Sequence, residues 1–104
     1  MWQLEGFLDE IDRWIAEELP PEEWVTAALS WTQSLMNNPW PPCTRDVEAG
    51  PDAWVAEISR ASDADRMTVC WYRVDEDDRW VRCRLIHTVP RPKEWTPGAW
   101  SSMA

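Results

Sequence analysis

Residues 67–88, MTVCWYRVDEDDRWVRCRLIHT, predict two antiparallel strands joined by a tight turn. Both flanks are rich in β-branched and aromatic residues, and the acidic run DEDDR between them has the polarity of a hairpin loop. If Asp77 and Asp78 form the tip, alternate residues of the two strands share one side of the hairpin. We expect that side to be buried, with Val74 opposite Val81, Tyr72 opposite Cys83, Cys70 opposite Leu85 and Thr68 opposite His87.

The other side of the hairpin mixes arginines with tryptophans. In the expected register Arg73 lies opposite Arg82, and Arg84 lies opposite Trp71. Like charges in register destabilise a sheet unless anions lie nearby, whereas an arginine over an indole ring is mildly favourable. Two interpretations stay open: a solvated face whose arginines meet tryptophans and carboxylates, or a binding surface.

The composition describes an acidic, tryptophan-rich chain of one domain. The chain has 104 residues, 10 tryptophans and a formal net charge of −9. Residues 1–64 carry 13 acidic and 3 basic side chains, whereas residues 65–104 carry 6 and 7. Partly buried indoles suit interfaces, and the acidic half disfavours general nucleic-acid binding because phosphate contacts need clustered basic residues. An anion site would therefore lie in the C-terminal half.

Cysteine usage and hydropathy argue against metal-binding, cofactor-binding and membrane-spanning classes of protein. Cys43, Cys70 and Cys83 lack metal-ligand spacing, and the last two would be only diagonal neighbours on the hairpin, so we expect reduced thiols. The sequence also lacks a Gly-rich phosphate loop, so we expect neither a metal nor a cofactor. No segment has membrane-spanning length, and no basic start precedes an apolar run. These features predict a cytoplasmic protein with no membrane partner.

Two helices are predicted before the hairpin. A short strand over residues 2–5 is followed by apolar residues with helical spacing over residues 7–19. A Pro-Pro pair then interrupts the pattern, and the carboxylates that follow suit the first turn of a second helix over residues 22–35. A loop over residues 37–53 leads to a first meander strand over residues 54–59.

The predicted fold class is α+β: a short N-terminal strand, a two-helix hairpin and a three-stranded antiparallel meander, with both helices on one sheet face. Residues 1–89 form the single domain, and residues 90–104 form a C-terminal tail that contains proline and tryptophan.

The order of elements and several local phrases resemble the RelE/ParE superfamily of toxins from bacterial type II toxin–antitoxin systems. Members commonly place an aromatic residue at the head of the first meander strand, where Trp54 stands, and several end the last strand in a histidine, where His87 falls. The resemblance covers most of the chain up to about Val89, as a divergent and acidic member. The similar stretches are LMNNPWPP (35–42), RDVEAGPDAWVAEIS (45–59) and WYRVDEDDRWVRCRLIHTV (71–89).

For the ribosome-dependent ribonucleases of that family, the resemblance implies messenger-RNA cleavage by basic residues on the sheet. His87 would then be the general acid or base, and Arg66 would stabilise charge on the scissile phosphate. Val55 and Glu57 stand where those enzymes often have basic residues, so endoribonuclease-like activity stays an open question. The expected register also separates His87 from two of the arginines unless the strand contains a bulge. The candidate binding residues are Trp71, Arg73, Arg82, Arg84, Arg91, Lys93 and Trp95.

Three functions follow from these observations. The first is a toxin-like component that acts on mRNA, translation or another cellular target and is neutralised by an antitoxin-like protein partner, with RNA or the ribosome as a further partner. The alternative is a non-catalytic protein-interaction module that retains the fold and binds a basic protein by charge steering and aromatic anchors. The third is a small enzyme that uses His87 on an anionic substrate.

Overall fold

A five-stranded sheet forms one layer of the structure and two helices form the other, in a computed structural model that describes residues 1–91. The sheet order is β1-β5-β4-β3-β2; β1 is parallel to β5, and the other neighbours are antiparallel. A single 3₁₀ turn, Ser59–Ala61, precedes β4. The elements are β1 (Gln3–Glu5), α1 (Phe7–Glu18), α2 (Glu22–Ser34), β2 (Thr44–Arg45), β3 (Ala53–Glu57), β4 (Arg66–Asp75) and β5 (Trp80–Pro90).

The α+β class with two helices is confirmed, and the three predicted meander strands are β3, β4 and β5, but the sheet has five strands. The short N-terminal strand pairs with β5, and Thr44–Arg45 pairs with β3 as a fifth strand. These two strands have three and two residues. The two-residue strand β2 shows too few alternations to be recognised in a sequence, whereas β1 lies within the strand predicted over residues 2–5.

Both helices lie where the apolar spacing predicts them. The first begins after Gly6, whose φ of 81° lies in the left-handed region that L side chains rarely adopt and lets the chain turn from β1 into the helix. Its inward stripe is Phe7, Ile11 and Trp14. The second begins directly after the Pro-Pro pair and directs Trp24 and other small or apolar residues inward. The two stripes pack on the same sheet face.

The predicted hairpin register holds for its turn half and fails beyond it. Val74 pairs with Val81 and Tyr72 pairs with Cys83, as expected. A β-bulge then leaves Arg84 as an extra residue, so that Trp71 pairs with Leu85. Every later partner is displaced by one residue.

The expected pairs Cys70 with Leu85 and Thr68 with His87 are therefore wrong: Cys70 pairs with Ile86, and Thr68 pairs with Thr88. The expected position of Arg84 directly opposite Trp71 is likewise replaced by the bulge.

The main core lies between the helices and the sheet. Trp14 and Tyr72 are fully buried in it, and each polar ring atom has a partner. The Trp14 Nε1–H donates to Thr88 Oγ1 at 3.0 Å, and the Tyr72 hydroxyl donates to the Pro39 carbonyl at 2.9 Å. These bonds tie α1 to β5 and the 37–43 loop to β4.

The three cysteines are free thiols in the structure. The Sγ atoms of Cys70 and Cys83 are 4.0 Å apart, and burial raises the pKa of the Cys70 thiol. A buried, protonated thiol is a poor nucleophile, so Cys70 acts as a core residue. Neither helix in residues 1–91 is long and apolar enough to cross a membrane.

Candidate functional site

The sheet face opposite the helices carries four of the predicted site residues, Trp71, Arg73, Arg82 and His87. We call this side the open face and define it by the alternate residues of the three long strands that point away from α1 and α2. Its centre is apolar: Val55, Met67 and Val69 are buried, and Trp71 and Val89 pack against them while partly buried. Charged side chains surround this centre. The open face comprises Ala53, Val55, Glu57, Met67, Val69, Trp71, Arg73, Asp75, Trp80, Arg82, Leu85, His87 and Val89.

The bulge at Arg84 decides which face His87 occupies. Without it His87 would alternate onto the helix-covered side, as the sequence register predicts. With it His87 pairs with Val69, so its side chain belongs to the same face as Arg82. The expectation that these two residues lie on opposite sides is therefore wrong, because bulges re-aim the side chains that follow them.

A carboxylate from α1 holds His87. Its Nδ1 lies 2.9 Å from Glu18 Oε2, and the other Glu18 oxygen accepts the Thr88 backbone N–H at 3.0 Å. The imidazole side chain is 48% exposed. A carboxylate on one ring nitrogen fixes the tautomer and leaves Nε2 for proton transfer, which is the arrangement a general acid or base needs.

A second carboxylate of the same helix binds the uncovered edge of β5. Glu10 Oε2 accepts the Ile86 N–H at 2.9 Å, and Arg13 donates to the Ile86 carbonyl and to Glu10. Burial would raise the pKa of Glu10, but the hydrogen bonds from Arg13 and from the Ile86 N–H outweigh it, so the pKa is lowered. The polar groups of an edge strand are thereby satisfied by side chains instead of by another chain.

The predicted arginines of the sheet are paired with carboxylates. Arg82 Nε lies 2.8 Å from Glu5 Oε2, and Arg84 Nη1 lies 3.0 Å from Asp46 Oδ2. Arg73 contacts the Asp52 carboxylate and donates to the Ala49 carbonyl.

Arg91 completes this set. Its Nη2 lies 2.7 Å from Glu57 Oε2. Each of these four cations therefore has a protein anion, which agrees with the solvated-face interpretation of the sequence.

Arg66 does not share a site with His87. It begins β4 on the helix-covered side, where its guanidinium carbon lies 4.8 Å from the centroid of the Trp24 ring and its Nη2 lies 3.6 Å from Asp63 Oδ2. The two proposed catalytic residues are thus on different faces. Lys93 and Trp95 lie outside the described residues.

A second polar and aromatic surface, which sequence reasoning did not single out, lies at the turn end of the sheet. Trp2, Trp40 and Trp54 follow one another edge to face, with centroid separations of 5.3 and 6.5 Å. An arginine covers each end of this tryptophan row: Arg79 lies 4.9 Å from the Trp2 ring centroid, and Arg45 lies 5.1 Å from that of Trp54. The sequence signal for this surface is the acidic run 75–78, which by itself predicts only a turn.

Comparisons with protein-family models, with curated proteins and with solved structures found no match to this chain. Within residues 1–91 no group of three or more His, Cys, Asp or Glu side chains is placed to hold a metal ion.

Proposed function

We propose that this chain is a protein-interaction module that binds a basic partner. The observation that carries the proposal is the pairing of Arg73, Arg82, Arg84 and Arg91 with carboxylates. Binding of a polyanion needs arginines that can contact phosphates, and here a phosphate would have to displace a carboxylate at each position.

The molecule carries excess negative charge, and part of it lies at the turn end of the sheet. The carboxylates of Glu76 and Asp77 have no ion-pair partner among residues 1–91, and both residues are exposed. The net charge of −9 also makes the electrostatic field of the whole chain negative. Such a field raises the encounter rate with a basic protein and opposes the approach of nucleic acid.

A fluorescence anisotropy titration tests the proposal directly. The probes are a labelled nonapeptide with three arginines, its counterpart with three glutamates, and a single-stranded RNA of nine nucleotides. We expect the arginine peptide alone to bind, with an affinity that falls as ionic strength rises from 20 to 300 mM, because the Debye length shortens from roughly 20 to 6 Å. Equal or tighter binding of the RNA would overturn the proposal.

A second candidate function is a toxin-like member of the RelE/ParE superfamily, and the Glu18–His87 pair favours it. The carboxylate at Nδ1 suits a histidine that transfers protons. The order of elements on which the resemblance depends, a strand followed by two helices and antiparallel strands, also supports this candidate. Neutralised arginines argue against RNA as the substrate.

Induced expression in a bacterial host tests this second candidate. A toxin should slow growth, and His87→Gln at the same protein level should restore it if the imidazole does chemistry. Thr68→Ser, a conservative change on the opposite sheet face, serves as the matched control. Normal growth with the folded wild-type chain at high level would rule this candidate out and leave the interaction module standing.

A further inference from the structure

A pocket opens beside the tryptophan row at the turn end of the sheet. Its volume is about 420 Å³, and its walls come from three separate parts of the chain: β2 with the loop before it, the start of β3 with the residues before it, and the end of β4 with the β4–β5 turn. The indoles of Trp40 and Trp54 provide its aromatic surface. The complete lining is Trp40, Arg45, Pro51, Asp52, Trp54, Val74, Asp75, Glu76 and Asp77.

The charges around this pocket are not balanced. Asp52 contacts Arg73, and Asp75 Oδ1 accepts the backbone N–H groups of Asp77 and Asp78 at 3.1 Å. These contacts account for two of the lining carboxylates. The carboxylates of Glu76 and Asp77 remain without a cationic partner in the described part of the chain. An aromatic wall beside uncompensated carboxylates is a site for an organic cation.

The protein already places one such cation on this wall. The guanidinium of Arg45 lies over the Trp54 ring, with its central carbon 5.1 Å from the ring centroid. Arg45 is exposed, and no ion pair holds it among residues 1–91. The contact shows that the indole face accepts a guanidinium. The Arg45 guanidinium is held in this position mainly by the Trp54 ring.

We propose that this pocket binds an arginine side chain of the basic partner, with its guanidinium on the Trp54 ring and its N–H groups directed to Glu76 and Asp77, in place of Arg45. This assignment rests on the proposed function and names its recognition site. Arginine fits better than lysine because a planar guanidinium stacks on an indole and donates to carboxylates in parallel, whereas an ammonium is a compact, strongly hydrated charge.

The first test removes the internal competitor. Arg45→Ala should tighten binding of the three-arginine nonapeptide by about two- to fivefold, the range of one exposed cation–π contact. Arg60→Ala is the matched control, because Arg60 is also exposed, lies outside this pocket and changes the net charge equally. Equal tightening in both variants would mean that the change in net charge causes the effect, and it would overturn the inference that Arg45 competes with the peptide for the pocket.

The second test removes the carboxylates. Glu76→Gln combined with Asp77→Asn should weaken binding about two- to tenfold relative to Glu22→Gln combined with Glu23→Gln. Glu22 and Glu23 are exposed and carry the same charge change. They begin α2 next to Trp24, whose ring contacts Arg66 at the end of the ten-residue strand β4 that lies away from the turn. Circular dichroism of each variant reports whether the fold is retained.

The outcomes separate this inference from the proposed function. If the wild-type chain binds no basic peptide, both fail. If it binds the peptide but both variants match their controls, the interaction module stands and the pocket assignment fails. If a three-lysine nonapeptide binds as tightly as the three-arginine one, the assignment to arginine is overturned.

Discussion

The two faces of the sheet use arginine and tryptophan in different ways. On the open face the arginines are paired with carboxylates, as in Arg73–Asp52 and Arg82–Glu5, and Arg82 also lies 5.9 Å from the centroid of the Trp80 ring. On the helix-covered side the aromatic rings are buried, and where that side runs out, at the turn end, arginines lie on indoles while carboxylates stay unpaired. The arginines of the open face are therefore neutralised, whereas Glu76 and Asp77 beside the tryptophan row have no ion pair within residues 1–91.

The largest expected effect is on the helix-covered side. Trp14 is fully buried and its Nε1–H donates to Thr88, so Trp14→Ala should lower the free energy of unfolding by about 3–5 kcal/mol. Urea unfolding followed by far-ultraviolet circular dichroism measures this loss. A loss below about 1 kcal/mol, the size expected on the open face, would break the distinction between the two sides.

The next effect is at the β5 edge and depends on pH. The folded-state pKa of Glu10 is lowered from its ordinary value of 4.5, so the ionised carboxylate is favoured in the folded protein. Its contribution is fully present above pH 4.5 and is lost as pH falls through the lowered folded pKa.

Thermal unfolding between pH 2.5 and 7 checks this dependence. The wild-type melting temperature should fall more steeply below pH 4.5 than that of Glu10→Gln, which keeps an acceptor oxygen without the titration. Asp12→Asn, an exposed change on the same helix, is the matched control and should follow the wild type. Parallel curves for wild type and Glu10→Gln would contradict the account of this edge.

The smallest effect belongs to the open face. The Arg82–Glu5 pair joins side chains that are 59% and 54% exposed, and solvent screens such pairs strongly. Arg82→Ala should therefore change the free energy of unfolding by less than about 1 kcal/mol, and 0.5 M salt should reduce the difference further. A larger, salt-independent loss would mean that this face contributes to folding as the core does.

The helices and the turn half of the hairpin follow from local patterns in the sequence. The bulge does not, because Leu85 and Ile86 are both apolar and either could continue the buried alternation after Cys83. Contacts with α1 select Ile86: its N–H is bound by Glu10, and the Thr88 hydroxyl beyond it accepts from Trp14. Those contacts join residues more than 70 positions apart, so no local pattern contains them.

The pocket likewise could not be predicted from the sequence. Trp40 comes from a proline-rich loop and Trp54 from a strand, and the turn carboxylates reach them only because β4 and β3 pair. The short strand β2, which places Arg45 beside Trp54, has two residues and no pattern of its own. A search of the sequence for charge runs finds the acidic turn but not what it faces.

The most direct test of the account uses the indole N–H signals in ¹H–¹⁵N correlation spectra, assigned by single Trp→Phe substitutions. On addition of the three-arginine nonapeptide we predict that the signals of Trp40 and Trp54 shift and that the signal of Trp71, on the open face, stays in place. A shift of Trp71 while Trp40 and Trp54 remain unchanged would contradict the account, because the basic ligand would then bind the neutralised face.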